Sequence, residues 1–147
     1  MKKIVLNGKL VNQNENALHL NKGEQAEKIV TEYFNLEYSR DNKNHLSSSD
    51  IEINDKKISV KSYGASLDNS KNHKDLIKSV EEFISNDYSN TYMYVANTKL
   101  ENQVFVYEMN KVEFKSFLLN FAKIESDGKF RIRKASDNKI NNWYALI

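Results

Sequence analysis

The chain has 147 residues, of which 39% are hydrophobic and 11% aromatic, so residues 1–147 are expected to form one globular domain rather than a disordered segment. It contains no cysteine, which excludes a disulfide framework and a thiolate metal site, and we expect a cytoplasmic protein. The 22 basic and 20 acidic residues leave a net charge of +2, so any nucleic-acid binding must come from a local basic patch.

The N-terminal segment contains two short apolar runs separated by a turn signal. Residues 2–6 and 9–11 flank Asn7-Gly8, a dipeptide typical of two-residue hairpin turns, so a hairpin is predicted here. The first run is too short for a signal peptide or a membrane span. The many asparagines that begin in this segment are interpreted as compositional drift without mechanistic meaning.

A first helix is predicted over residues 22–35. Asn21 is a suitable N-cap, and Glu24 completes a capping-box pattern with it. Glu27 lies at the border of the apolar stripe, about 100° around the helix from Ala26. The stripe that should be buried consists of Ala26, Ile29, Val30, Tyr33 and Phe34.

Two runs with alternating side chains follow a polar loop over residues 36–49. Because successive side chains of a strand point to opposite faces, each run has one apolar and one polar face. We predict an antiparallel hairpin that turns at residues 55–56, or over residues 54–57. The pairs that this register places opposite each other are Asn54 with Lys57, Ile53 with Ile58, Glu52 with Ser59, and Asp50 with Lys61.

The polar face of this hairpin should collect Asp50, Glu52, Ser59 and Lys61. Carboxylate oxygens suit a hard cation such as Mg²⁺, which proteins usually hold with one or two carboxylates, waters and phosphate oxygens. Such an ion can activate water for phosphodiester hydrolysis, and a nearby ammonium can hold that water or neutralise the phosphate. The same pattern also fits a hairpin whose outer face is simply charged and solvated.

The remaining elements alternate between helix and strand. A second helix over residues 73–85 should bury one apolar stripe, and strands over residues 91–96 and 103–109 are apolar on both faces, as central strands are. A third helix, a strand and a short terminal helix are predicted over residues 111–124, 129–134 and 137–144. The order predicts an α/β or α+β fold with a mixed sheet flanked by helices.

The first helix and the hairpin together resemble the PD-(D/E)xK nuclease superfamily, which has the restriction-endonuclease-like fold. The resemblance lies in three stretches: Gly23-Glu24-Gln25-Ala26-Glu27, Ser49-Asp50, and Ile58-Ser59-Val60-Lys61. It covers residues 22–63, and beyond them only the order of elements is similar. It implies that Asp50 binds Mg²⁺ or Mn²⁺, that Glu27 helps to position the metal, and that Lys61 orients or activates the attacking water.

The chain departs from the family pattern at two positions. An acidic residue is expected two places before the lysine, where this chain has Ser59, and proline often precedes the aspartate, where it has Ser49. A hydroxyl is a poorer Mg²⁺ ligand than a carboxylate. Either Glu52 supplies the missing carboxylate from across the hairpin, or the site is degenerate and the fold serves binding alone.

Several other residues are weaker candidates. Lys71 and Lys74, near the second helix, and Arg131 and Arg133, on one strand face, could contact DNA phosphates, although solvated basic faces are also common. The histidines His19, His45 and His73 are too scattered for a metal motif. The residues Tyr92, Tyr94, Tyr107 and Trp143 are expected in the core rather than in base stacking.

These observations give three functional hypotheses. The first is a metal-dependent DNA endonuclease of the restriction, repair or resolvase type, acting as a C2 homodimer that presents two sites to two strands. The second is a nuclease-like fold without catalysis that binds DNA or a protein partner, as an accessory or inhibitor of a mobile element or defence system. The third is an α+β interaction protein with no nucleic-acid role.

Overall fold

A computed structural model describes residues 1–39 and 50–147 of the chain, so most of the predicted 36–49 loop, with Ser49 and His45, lies outside the described residues. Eight strands and four α-helices alternate in these two ranges. The elements in chain order are β1 (Lys2–Asn7), α1 (Lys22–Tyr33), β2 (Ile51–Ile53), β3 (Lys56–Ser62), β4 (Ser66–Leu67), α2 (Leu76–Asn86), β5 (Thr91–Asn97), β6 (Gln103–Asn110), α3 (Lys111–Phe121), β7 (Ala122–Ile124), β8 (Phe130–Ile132) and α4 (Asp137–Ala145).

The main sheet has five strands in the order β1-β6-β5-β3-β2. β2 and β3 form an antiparallel hairpin, and α2 then carries the chain over so that β5 pairs with β3 in parallel. β5, β6 and β1 continue the sheet with antiparallel pairings. The predicted mixed sheet and α/β class are therefore confirmed.

Each face of the main sheet is covered by a different core. One face is aliphatic: Ala26 and Val30 of α1 pack with Ile58 and Val60 of β3. The other face is aromatic and is covered by α2, α3 and α4, with Phe117 at its centre. The four aromatic residues expected in this core, Tyr92, Tyr94, Tyr107 and Trp143, are all buried as predicted.

A polar contact anchors the aromatic core at its rim. The hydroxyl of Tyr107 donates a hydrogen bond to Asp137, and Lys3 forms an ion pair with the same carboxylate at 2.8 Å. Burial opposes ionisation of Asp137, but the hydrogen bonds from Lys3 and Tyr107 outweigh it and lower the pKa of this carboxyl. This contact joins β1, β6 and the start of α4.

A second, three-stranded sheet has the order β4-β8-β7. Its central strand β8 buries Phe130 and Ile132, as the sequence predicted, and Gly64 N donates to Ile132 O at 2.7 Å. The sequence analysis assigned β4 to a loop and β7 to the third helix, and both assignments are wrong. Helix α3 ends at Phe121, after which Arg133 N donates to Phe121 O at 2.7 Å and the chain pairs as a strand.

The predicted N-terminal hairpin does not form. β1 pairs with β6 instead, and residues 9–11 are not in a strand. Leu10 N and O bond the side-chain amide of Asn97, both at 2.8 Å, so this amide replaces a partner strand. Gly8 has a φ of +144°, and a Cβ built there would lie 2.8 Å from Ile29 Cδ1, so glycine permits close packing against α1 rather than a turn.

The helix boundaries lie within a few residues of the predicted ones, but two residues of the predicted apolar stripes are exposed. Tyr33 and Ile77 were expected to be buried, and they are 39% and 57% exposed. α1 begins with the predicted capping box between Asn21 and Glu24. None of the helices in residues 1–39 and 50–147 has the length and apolar character required to cross a membrane.

The asparagines have structural roles, so their interpretation as drift is wrong. Asn21 and Asn110 cap α1 and α3 through capping boxes. The left-handed backbone region, which asparagine tolerates better than most residues, is occupied by Asn35, Asn54, Asn72 and Asn102.

Candidate functional site

The hairpin of β2 and β3 turns one residue earlier than predicted, which shifts each strand partner by two residues. Ile51 pairs with Ile58, Glu52 with Lys57, and Ile53 with Lys56, so the turn residues are Asn54 and Asp55. Asn54 has a φ of +52°, the left-handed conformation that the first position of a tight hairpin turn requires. Because the two registers differ by two residues, each side chain keeps its predicted face but meets a different partner.

This register moves Asp50 to the position that was predicted for Glu52. The backbone N of Asp50 donates to Ile58 O at 2.8 Å, and its Oδ2 accepts from Val60 N at 2.7 Å, so its contacts bracket Ser59. The Asp50 carboxylate therefore stands at the edge of β3, one residue before Lys61. Its contact with Val60 uses one of its two oxygens.

Glu52 and Ser59 lie elsewhere than the sequence analysis proposed. Glu52 is exposed and opposite Lys57 rather than Ser59, which places it farther along the hairpin from Lys61. Ser59 is only 1% exposed and pairs with Tyr92 of β5. The predicted pairing of Glu52 with Ser59 is wrong.

An open groove of ≈ 590 Å³ lies at the C-terminal end of β3. Lys61 and Glu27 both line it, so the structure brings together two of the site residues predicted from sequence. Asp50, Glu52 and Ser59 are not among its lining residues. The full lining is Asn12, Gln13, Asn21, Lys22, Gly23, Glu27, Val60, Lys61, Ser62, Tyr63, Gly64 and Ala65.

Glu27 and Lys61 reach the groove from opposite faces of the sheet. α1 packs on the face that carries Ile58 and Val60, whereas Lys61 alternates with Val60 and so projects to the other face. The groove in which they meet is lined by residues 60–65, which form the C-terminal end of β3 and the chain that follows it. The C-terminal ends of parallel strands are a common location for ligand sites in α/β folds.

Two side-chain amides fix the loop that forms one wall of the groove. Gln25 is 4% exposed, and its amide bonds both N and O of Val11 at 2.9 Å and the Leu20 carbonyl at 2.7 Å. Asn97 holds Leu10 in the same way. These contacts position Asn12 and Gln13 along the groove although the segment has no strand partner of its own.

A cationic cluster forms around Tyr63, which lines the groove together with Lys22. The Lys22 ammonium donates a hydrogen bond to the Tyr63 hydroxyl and lies 4.5 Å from the centroid of its ring. Lys134 Nζ lies 5.9 Å from the same centroid. None of these three residues was predicted as a site residue. Lys134 follows Tyr63 by 71 residues in the sequence, and the second sheet brings the two together.

The other predicted DNA contacts do not line the groove. Lys71 and Lys74 are exposed before α2, and Arg133 is exposed after β8. Arg131 lies between Ser66 and Lys123 in the second sheet, with its Nε 4.0 Å from Glu125 Oε1. His73 instead bonds Glu82 of α2 at 2.5 Å.

Carboxylates near the end of β3 are the side chains of this region that a hard cation such as Mg²⁺ could bind. Within residues 1–39 and 50–147 there is no group of three histidine or acidic side chains placed to hold a metal. Mg²⁺ commonly takes only one or two protein carboxylates. Of the two carboxylates that the resemblance assigns to the metal, Glu27 lines the groove, whereas Asp50 accepts from Val60 N and does not line it.

Comparisons with known proteins give no relative for this chain. No family model matches the sequence, and neither curated proteins nor solved structures show a match. The functional conclusion therefore rests on the residues of the groove and of the hairpin.

Proposed function

We propose that the chain is a metal-dependent DNA endonuclease that hydrolyses phosphodiester bonds at the groove beyond β3. The observation that carries the proposal is that Glu27 and Lys61, which are predicted site residues from separate elements, line one groove. The order of a capped helix, an antiparallel hairpin, a crossover helix and a parallel strand supports the restriction-endonuclease-like fold.

Each side chain has a role that follows from its position. Lys61 would hold the attacking water or neutralise the phosphate, because this residue lines the groove. Asp50 and Glu27 would hold Mg²⁺ or Mn²⁺, which supplies Lewis-acid stabilisation of the phosphate charge. Glu52 lies opposite Lys57 and Ser59 is buried, so neither is assigned a ligand role in this proposal.

The direct test is incubation of the protein with supercoiled plasmid and with branched and single-stranded DNA, in Mg²⁺, Mn²⁺ or EDTA. We expect nicked or linear products with either metal ion and none with EDTA. The absence of products with both ions would contradict the endonuclease proposal.

A second candidate is a nuclease-like module that binds DNA without cutting it. The burial of Ser59, at 1% exposure, favours it, because the position where the family carries a carboxylate is closed to a cation. Retention of labelled DNA on a filter, without products in Mg²⁺ or Mn²⁺, would support this candidate. Absence of retention would favour a protein-interaction role.

A further inference from the structure

The cationic cluster consists of Lys22 and Tyr63, which line the groove, and Lys134, whose ammonium lies 5.9 Å from the centroid of the Tyr63 ring. We propose that it is a phosphodiester-binding subsite that holds the nucleic-acid backbone beside the phosphate at Lys61. The inference deepens the proposed function and rests on it. It assigns a positioning role to three residues that the resemblance to nucleases does not mark.

Several lysines of the described residues form ion pairs with carboxylates, among them Lys3, Lys28 and Lys56. Within residues 1–39 and 50–147, no carboxylate forms an ion pair with Lys22, Lys61 or Lys134. Lys22 and Lys134 both approach one ring, at 4.5 and 5.9 Å from its centroid, so two positive charges stand beside the same side chain. An anion bound beside Tyr63 would be attracted by both charges.

The geometry favours a phosphate over a stacked base. Lys22 already covers the Tyr63 ring and bonds its hydroxyl, so the ring surface on that side is not open to a nucleobase. Two ammonium groups and one hydroxyl are the donors that phosphate oxygens accept from. The subsite should therefore bind strands of any sequence.

The groove has free space beside Tyr63, where a bound nucleic-acid strand could continue out of it. A Cβ built on Gly64 would have nothing within 4 Å, so the chain leaves free space beside Tyr63. Arg133 is exposed immediately before Lys134. A continuous strand fits this arrangement better than a mononucleotide, because positive charge continues outside the groove.

The test compares charge deletions in the cluster with a matched deletion elsewhere. Lys22→Gln and Lys134→Gln each remove one positive charge from the cationic cluster. Lys2→Gln removes one from an exposed position on β1, which β6 and β5 separate from β3. Binding of a fluorescein-labelled DNA strand is followed by anisotropy in EDTA over a range of salt concentrations, and thermal unfolding of each variant checks its fold.

We expect each cluster variant to weaken binding about three- to tenfold and to lower the slope of log K against log salt by about 0.7. The loss of affinity should be equal for DNA strands of different sequence. Lys22→Arg keeps the positive charge, so this variant should bind like the wild type. Lys2→Gln should bind like the wild type. Cluster variants that are folded and bind like Lys2→Gln would overturn the proposal.

A second probe separates this inference from the endonuclease proposal. Dimethyl phosphate, which has no base or sugar, should shift the backbone amide signals of Lys22, Gly23 and Tyr63 in the wild type and not in Lys134→Gln. A wild type that shows these shifts but cuts no DNA keeps the subsite and loses the endonuclease. Cleavage that is unchanged in both cluster variants, or signals that move only with a polyglutamate peptide, would overturn the subsite.

Discussion

At the N-terminal end of β3, Lys56 has an ion-pair partner and Lys57 stands opposite a glutamate, whereas at its C-terminal end Lys61 lines an open groove. Lys56 forms an ion pair with Glu108 at 2.8 Å, and Lys57 lies opposite Glu52. Asn90 closes this end by bonding Lys57 N at 3.0 Å and Asp55 O at 2.9 Å. At the other end, Lys61 and Lys22 share the groove with Glu27.

The difference indicates where charge serves the framework and where it is available for a ligand. Paired charges on a solvated hairpin contribute little to stability, and their partners leave them no role in binding. Ammonium groups without carboxylate partners, gathered in a concave space, favour an anion. Substitutions at one end of β3 can therefore serve as controls for substitutions at the other end.

The largest expected effect comes from truncating one lysine at each end. Lys61→Ala should reduce cleavage about 10²–10³-fold or more, because a preorganised donor at the reacting phosphate is lost. Lys57→Ala should cleave like the wild type. Initial rates of plasmid nicking in Mg²⁺ measure both variants, and equal rates would remove the functional distinction between the two ends.

The next effect concerns the amide that fixes the groove wall. Gln25→Ala should lower the free energy of unfolding by about 1–3 kcal/mol, because Val11 N and two carbonyls lose a buried partner. Asn90→Ala, at the closed end, should also destabilise the fold but leave DNA binding unchanged when measured on the folded protein. Gln25→Ala should in addition weaken DNA binding, because it loosens the groove wall. Urea unfolding measures the stability of both variants and anisotropy their DNA affinity, and a Gln25→Ala variant that binds DNA like the wild type would contradict the prediction.

Asp50 combines a structural and a proposed chemical role, and two substitutions separate them. Asp50→Ala should cost about 1–3 kcal/mol of stability, because Val60 N loses its acceptor. Asp50→Asn keeps an oxygen acceptor, so it should unfold close to the wild type while losing cleavage. An active Asp50→Asn variant would limit this residue to its structural role.

The smallest effect is expected from the ion pair at the closed end. Lys56 is 53% exposed in its side chain, so Lys56→Ala should change stability by no more than about 0.2–1 kcal/mol. Its DNA affinity should equal that of the wild type. Urea midpoints and anisotropy measure the two quantities, and a clear loss of affinity would show that the closed end also contacts DNA.

Local signals in the sequence predicted much of the fold. The capping box of Asn21 and Glu24 starts α1 where expected, and alternation placed Ile51, Ile58 and Val60 in the core. Alternation could not fix the hairpin register, because a shift of two residues leaves every side chain on the same face. The left-handed Asn54 decides the register, and its signal was not recognised.

The candidate site was harder to predict from the sequence than the fold. Glu27 and Lys61 were identified because they match a short motif, and they do line one groove. Tyr63 and Lys134 are neighbours only because Gly64 and Ala65 bond Ile132 of β8. A contact that depends on a second sheet between distant segments leaves no periodic pattern in either segment.

The second sheet also determines when the cationic cluster can form. β4 has no strand partner until β8 has been synthesised, and Lys134 follows β8 by two residues. Chains leave the ribosome from the N-terminus, so α1, the hairpin and β5 emerge well before this contact can form. A nascent chain therefore carries both Glu27 and Lys61 through about half of its synthesis before Lys134 can complete the cationic cluster.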